Sequence, residues 1–121
     1  MVKAYWLLKR RSEMNSDDFH RHWREQHGPL FCNNAAAQRY VTRYEQNHAV
    51  PENHALSGED YEEYDGISIM WFRSVEDFQA MFASPAFAPV LEDGDQFIDG
   101  TATKQIFTFV EEPFAVGSDQ A

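Results

Sequence analysis

Four stretches of the chain read as strands, from short apolar runs or from alternation with a period of two, and apolar residues recur at helical spacing between them. Residues 2–9 read as a first strand, with Val2, Ala4, Trp6 and Leu8 on one face and Tyr5 and Leu7 on the other. Both faces are apolar mid-strand, so a cover is expected on each side. Ser16 is the expected N-cap of the helix that follows, with Asp17 and Asp18 in the first turn, where the helix dipole favours negative charge. Phe19, Trp23 and Leu30 form its apolar stripe, and Gly28-Pro29 is expected to break it just after His27. A short helical piece then runs from Pro29 into the alanines at 35–37.

Residues 39–48 alternate as a second strand. Tyr40, Thr42, Tyr44, Gln46 and His48 share one side; Val41, Arg43, Glu45 and Asn47 share the other. The polar stretch 49–64, with Pro51 and Gly58, reads as a loop, and its length is of the kind that often carries function. Residues 66–73 form an apolar third strand. Ser74 and Asp77 stand in a pattern close to a capping box, ahead of Val75, Phe78, Met81 and Phe82 at helical spacing, and Pro85 stops that run. Another helical segment is expected over 87–98, broken near Gly94, before a fourth strand over 103–111. The chain thus divides into one domain, residues 1–112, and a tail, 113–121.

The order β-α-β-β-α-β is the ferredoxin-like α+β plan, a four-stranded antiparallel sheet with helices on one face. Large aromatic side chains on the uncovered face call for a partner, and a twofold pairing of two sheets into a dimeric α+β barrel supplies one. The length of 121 residues fits a single domain, and 43% hydrophobic with 15% aromatic residues is ample for a core and a pocket. A net charge of −10 argues against nucleic acid, which needs a basic face. Eight of the ten lysines and arginines precede Tyr44, so the charge is also unevenly spread. With one cysteine, Cys32, no disulfide forms within the chain. Neither a signal peptide nor an apolar run of membrane-spanning length is seen, so a soluble, cytoplasmic protein without a membrane partner is expected.

Three blocks resemble the EthD-like family. Leu7 to Arg11 followed by Phe19 to Leu30 is similar to its opening block; Tyr64 to Phe78 resembles its third strand and second helix; Asp95 to Asp99 resembles a block before the last strand. The resemblance implies the homodimeric α+β barrel reached above. It leaves the reaction open among isomerases, decarboxylases, dehydratases and accessory proteins, so chemistry has to be argued from the site.

His27, at a helix end before Gly28-Pro29, is the first candidate for acid–base work, because an imidazole can take and return a proton near neutral pH. The resemblance in the His-Gly-Pro-Leu block favours this role over a plain helix-capping one. His20, seven residues earlier, falls on roughly the same side, whereas α-helical spacing points His22 away. His48 is a second candidate for proton transfer, and Asp65 could orient a histidine, act as a base or cap the preceding loop. Tyr40 and Tyr44 are candidates for binding substrate oxygens, with Trp71 and Phe97 as apolar walls and His20 as a further substrate contact. No metal site is expected, since the histidines lack acidic or thiol partners at ligand spacing. No phosphate loop or nucleotide fingerprint is present, so no cofactor is expected either. The reading is a cofactor-independent lyase or isomerase acting on a small carbonyl-bearing cyclic or polyketide-like compound. A non-catalytic accessory protein that binds such a molecule is the alternative.

Overall fold

Alternation sorts the first strand, β1 (Val2–Leu8), by face: Val2, Ala4 and Leu8 are buried, while Lys3, Tyr5 and Leu7 are only half-covered. The computed structural model describes residues 1–58, 64–109, 114, 116 and 117. With β2 (Val41–His48), β3 (Gly66–Phe72) and β4 (Lys104–Phe109), β1 forms an antiparallel sheet in the order β2-β3-β1-β4. This is the expected ferredoxin-like α+β architecture. Its register places Ala4 between Met70 and Phe107 on the helix-covered face, and Tyr5 between Ile69 and Ile106 on the other.

The helical layer departs from the sequence reading at several points. α1 (Ser16–His22) is capped by Asn15, not Ser16: the Asn15 side chain accepts from the Asp18 amide at 2.8 Å, the geometry an N-cap provides. The expected break after His27 does not occur. A π turn (Trp23–His27) runs directly into α2 (Gly28–Cys32), and the Gly28 amide donates to the Trp23 carbonyl five residues back. A widened turn makes room for the Pro29 ring, which would collide with the carbonyl of an ordinary preceding turn.

Asn34 then caps α3 (Ala35–Tyr40), accepting from the amides of Ala36 and Ala37 at 3.0 and 3.1 Å. Arg39 and Tyr40 therefore close a helix instead of opening β2, because a cap followed by three alanines outweighs the onset of alternation.

The expected loop after β2 contains α4 (Asn53–Ser57), while residues 59–63 lie outside the described residues. α5 (Val75–Ala83) starts as expected, with Ser74 accepting from the Asp77 amide at 3.1 Å. A single 3-10 turn (Pro85–Phe87) leads into α6 (Ala88–Phe97), which passes through Gly94 unbroken. An interior glycine costs about 1 kcal/mol, less than burying Val90 and Phe97 on either side gains. The far end of the expected fourth strand and the 112/113 boundary lie outside the described residues.

Below the sheet, Trp6 packs against both buried clusters, one centred on Phe72, Met81 and Phe87, the other on Phe19, Trp23 and Phe97. The opposite sheet face carries Tyr5, Leu7, Ile69 and Trp71, with Ile67 and Ile106 exposed. Among the described residues, no helix is long and apolar enough to cross a membrane.

Candidate functional site

Between the helix-covered face of the sheet and α6 lies a cavity of about 360 Å³. Trp6, Leu8 and Met70 form its sheet side, Phe87 and Val90 its helix side, and Trp23 and His27 of the π turn complete the wall. Ser68, Asp95, Thr103 and Gln105 are the other polar side chains along it. The lining holds no lysine or arginine among the described residues. An apolar hollow with a few convergent polar groups is the usual form of a small-molecule site.

His27 is the buried titratable group in that wall, 8% exposed. Its Nδ1 lies 2.8 Å from Oδ2 of Asp93 on α6. With a carboxylate there, Nδ1 carries the hydrogen and donates it, which leaves Nε2 as the nitrogen with a free lone pair. Burial holds the imidazole below its ordinary value, although the bond and charge of Asp93 pull the other way. The resting ring is therefore neutral near pH 7, with a counter-charge already in place for the imidazolium. Phe97, fully buried one turn after Asp93, packs edge-on to His27 at 5.0 Å between centroids. It also lies 4.6 Å from the ring of His22.

Asp93 escaped the sequence reading. The signal was present: it stands three residues after Val90 and four before Phe97, so it falls on the buried stripe of α6, where a carboxylate needs a reason to be. His22 was also misplaced. It does not point away; its Nε2 sits 3.0 and 3.1 Å from the two oxygens of Asp93.

The other candidates gather elsewhere. His20 and His48 meet each other, Nδ1 to Nδ1 at 2.6 Å. The Nε2 of His48 lies 2.8 Å from Oε1 of Gln46, whose amide nitrogen donates to the Trp23 carbonyl and the Tyr44 hydroxyl at 2.7 and 2.9 Å. That fixes the amide, so His48 donates through Nε2 and accepts through Nδ1 from His20. Burial, with the charges of His20 and Arg24 nearby, pushes His48 down to about 4, and burial lowers His20 too. Neither ring lines the cavity.

Asp65 is a structural pin: buried, it accepts from the Arg10 backbone amide at 2.8 Å and from its guanidinium at 2.5 Å, tying the end of β1 to the start of β3. Tyr44 faces the helices, but its hydroxyl is taken by Gln46, its ring lies against Phe31, and burial pushes it up to about 12. Tyr40 ends α3 under the guanidinium of Arg39. Trp71 lies on the opposite sheet face, with Lys3 and Arg43 each 5.0 Å from its ring. Of the eight residues singled out from the sequence, the structure thus places only His27 in the cavity wall; Phe97, expected as a wall, packs behind His27 without lining the cavity, and the other six lie away from it. Among the described residues, no group of three or more His, Cys, Asp and Glu side chains is placed to hold a metal ion.

This fold and this cavity define a ferredoxin-like α+β domain with a carboxylate-backed histidine in a small apolar pocket. The chain belongs to the EthD family, whose domain model matches residues 11–101. Among solved structures, it is similar to an EthD family protein from Bacillus halodurans C-125, with 17% identity, a TM-score of 0.68, and coverage of 92% of this chain and 99% of that one. A dimeric protein of unknown function and ferredoxin-like fold from Bacteroides fragilis aligns with 10% identity and a TM-score of 0.64, over 88% and 93% of the two chains. The hydroxynitrile lyase of Passiflora edulis aligns with 13% identity and a TM-score of 0.62, over 94% and 96%. No curated protein matches the sequence.

Proposed function

We propose that the protein is a homodimeric, cofactor-independent lyase or isomerase acting on a small carbonyl-bearing cyclic or polyketide-like compound, with His27 as acid and base. The observation that carries this reading is the 2.8 Å contact of His27 with Asp93 at the wall of an apolar cavity. In this reading Nε2 of His27 removes a proton from the carbon beside the carbonyl. The C–H electrons pass to the oxygen as an enolate, and Asp93 offsets the charge of the imidazolium. The same proton then returns at another carbon, shifting a double bond, or goes to a departing hydroxyl, completing a dehydration.

Gln105 is the polar group available to the substrate oxygens, since Ser68 is bonded to the Tyr44 hydroxyl. Of the reactions open to the family, decarboxylation is the least supported here. A free carboxylate would meet no cation in the described lining and would face Asp95. A second copy covers the open sheet face, where Tyr5, Ile69, Trp71 and Ile106 otherwise stay partly wet. The Bacteroides relative, described as dimeric, supports that assembly.

The test is turnover on a panel of small neutral lactones, cyclic enones and hydroxyketones by wild-type protein and His27→Ala, both checked for dimer mass by sedimentation. Proton transfer of this kind supplies roughly 10² to 10⁴ in rate, so His27→Ala should lose that much while remaining a dimer. Binding without conversion, equal in both proteins, would make it a binding protein instead.

A further inference from the structure

Residues five apart on an α-helix are about 140° apart around the axis, so His22 and His27 should not reach the same group. Here they do: both contact Asp93, His22 through Nε2 at 3.0 and 3.1 Å and His27 through Nδ1 at 2.8 Å. The intervening π turn makes this possible, because a turn closed by five-residue hydrogen bonds stacks residues five apart. The turn has its own support. The Trp23 carbonyl accepts both the Gly28 amide and the Gln46 side chain, the latter at 2.7 Å. A β-carbon on Gly28 would come within 3.0 Å of that Gln46 nitrogen, so glycine leaves the approach open. A π turn costs regular helix geometry and is found mostly where a site needs it.

We propose that His22 is a positioning residue of the site: its Nε2–H, shared across both oxygens of Asp93, locks the carboxylate so that His27 is held as the Nδ1–H tautomer with its Nε2 lone pair free for the cavity. Asp93 alone could turn about its side-chain bonds; gripped from two sides by rings that both stand on Phe97, it cannot. Asp93 from α6 and His22 from α1 are the charged groups that bear on His27, one favouring and one opposing its imidazolium. The inference deepens the proposed function in that His27 is the base there, but it is read out without substrate.

The test is nitrogen-15 NMR of the histidine rings in wild type, His22→Leu and His22→Gln, recorded from pH 4 to 8. In wild type near pH 7.5, His27 should carry its hydrogen on Nδ1. His22→Leu should weaken that preference by about tenfold or more, the loss of roughly one hydrogen bond to a charged group. His22→Gln, which keeps an N–H donor without a titratable charge, should restore the tautomer and raise the pH at which His27 takes its second proton. An unchanged tautomer ratio in His22→Leu, or a wild-type His27 protonated on Nε2, overturns the proposal. Should His22→Leu not fold by near-ultraviolet circular dichroism, His22→Phe, which keeps a ring on Phe97 without a donor to Asp93, takes its place, and an unchanged tautomer ratio there overturns the proposal. These outcomes are independent of turnover, so failure here and failure of the catalytic reading can be told apart.

Discussion

One helix and its π extension carry three histidines into two unlike settings. His22 and His27 close on a carboxylate, Asp93, beside a cavity. His20 closes on His48, which an amide, Gln46, backs in turn. Both regions are hydrogen-bonded throughout, yet they differ in the one respect that matters for proton chemistry. Burial lowers all three of His20, His27 and His48, but for His27 it is opposed by the hydrogen bond and charge of Asp93. His48 has positive neighbours, His20 and Arg24, and falls to about 4. A histidine that must hold a proton for part of a reaction cycle near neutral pH needs a counter-charge, and among the described residues only the first region supplies one in direct contact. Trp23 stands between them: it lines the cavity, and its ring lies 4.2 Å from that of His48.

The largest effect that would break the comparison is on turnover. Asp93→Asn removes the counter-charge and lets an amide hydrogen meet Nδ1, favouring the wrong tautomer of His27. We expect kcat/KM to fall by about 10² or more on any compound the wild type converts, while His48→Gln changes it by less than about threefold. Equal losses in steady-state kinetics would erase the distinction between the two regions.

Next in size is Gly66→Ala, which strikes the wall between them. A β-carbon there would lie 2.5 Å from the Asn47 carbonyl oxygen and 2.6 Å from the Trp23 ring. Relief requires the indole or the strand to move, so urea unfolding should show a loss of about 1–3 kcal/mol. The ring signals of both His27 and His48 should shift with it. A variant as stable as wild type, with those signals in place, would mean that Trp23 is not pinned against β3.

The fold was legible because β1 and β3 each have one buried face, so their apolar positions stand out in the sequence, and because the strand–helix order admits few topologies. The site was legible only in part. His27 showed through a short motif, and Phe97 through its place in a family-like block. Asp93 lay on a buried helical stripe but stood among Glu92 and Asp95, where a run of acids reads as solvated surface. His22 was hidden for a geometric reason, since helical spacing assumes 3.6 residues per turn and the π turn departs from it where the site is built. Tyr44, His48 and Trp71 mark the limit of alternation: it assigns faces within a strand but does not say which face borders a cavity or which hydroxyl is already bonded. Tyr44 and His48 are on the correct face yet are consumed by the Gln46 network, and Trp71 is on the opposite one.

The smallest expected effect is on stability against pH, and it sharpens the contrast from the other side. His48 titrates at about 4 in the folded chain and near 6.5 when unfolded. Between those values the unfolded chain binds a proton that the folded one refuses, so this residue makes stability fall as pH drops from about 6.5 to about 4, with no further loss below. His20 is shifted in the same direction and adds to the slope. Solvent around this partly exposed pair screens much of the effect, so the difference should stay within about 1 kcal/mol. Urea midpoints for wild type and His48→Gln, measured from pH 7.5 to 4, should therefore diverge as the pH falls, the variant losing less. Carboxylates that titrate in the same range contribute equally to both proteins and cancel in the comparison. Parallel curves would mean that His48 accepts its proton in the folded state, and the carboxylate that Asp93 brings to His27 would then no longer separate the two histidine regions.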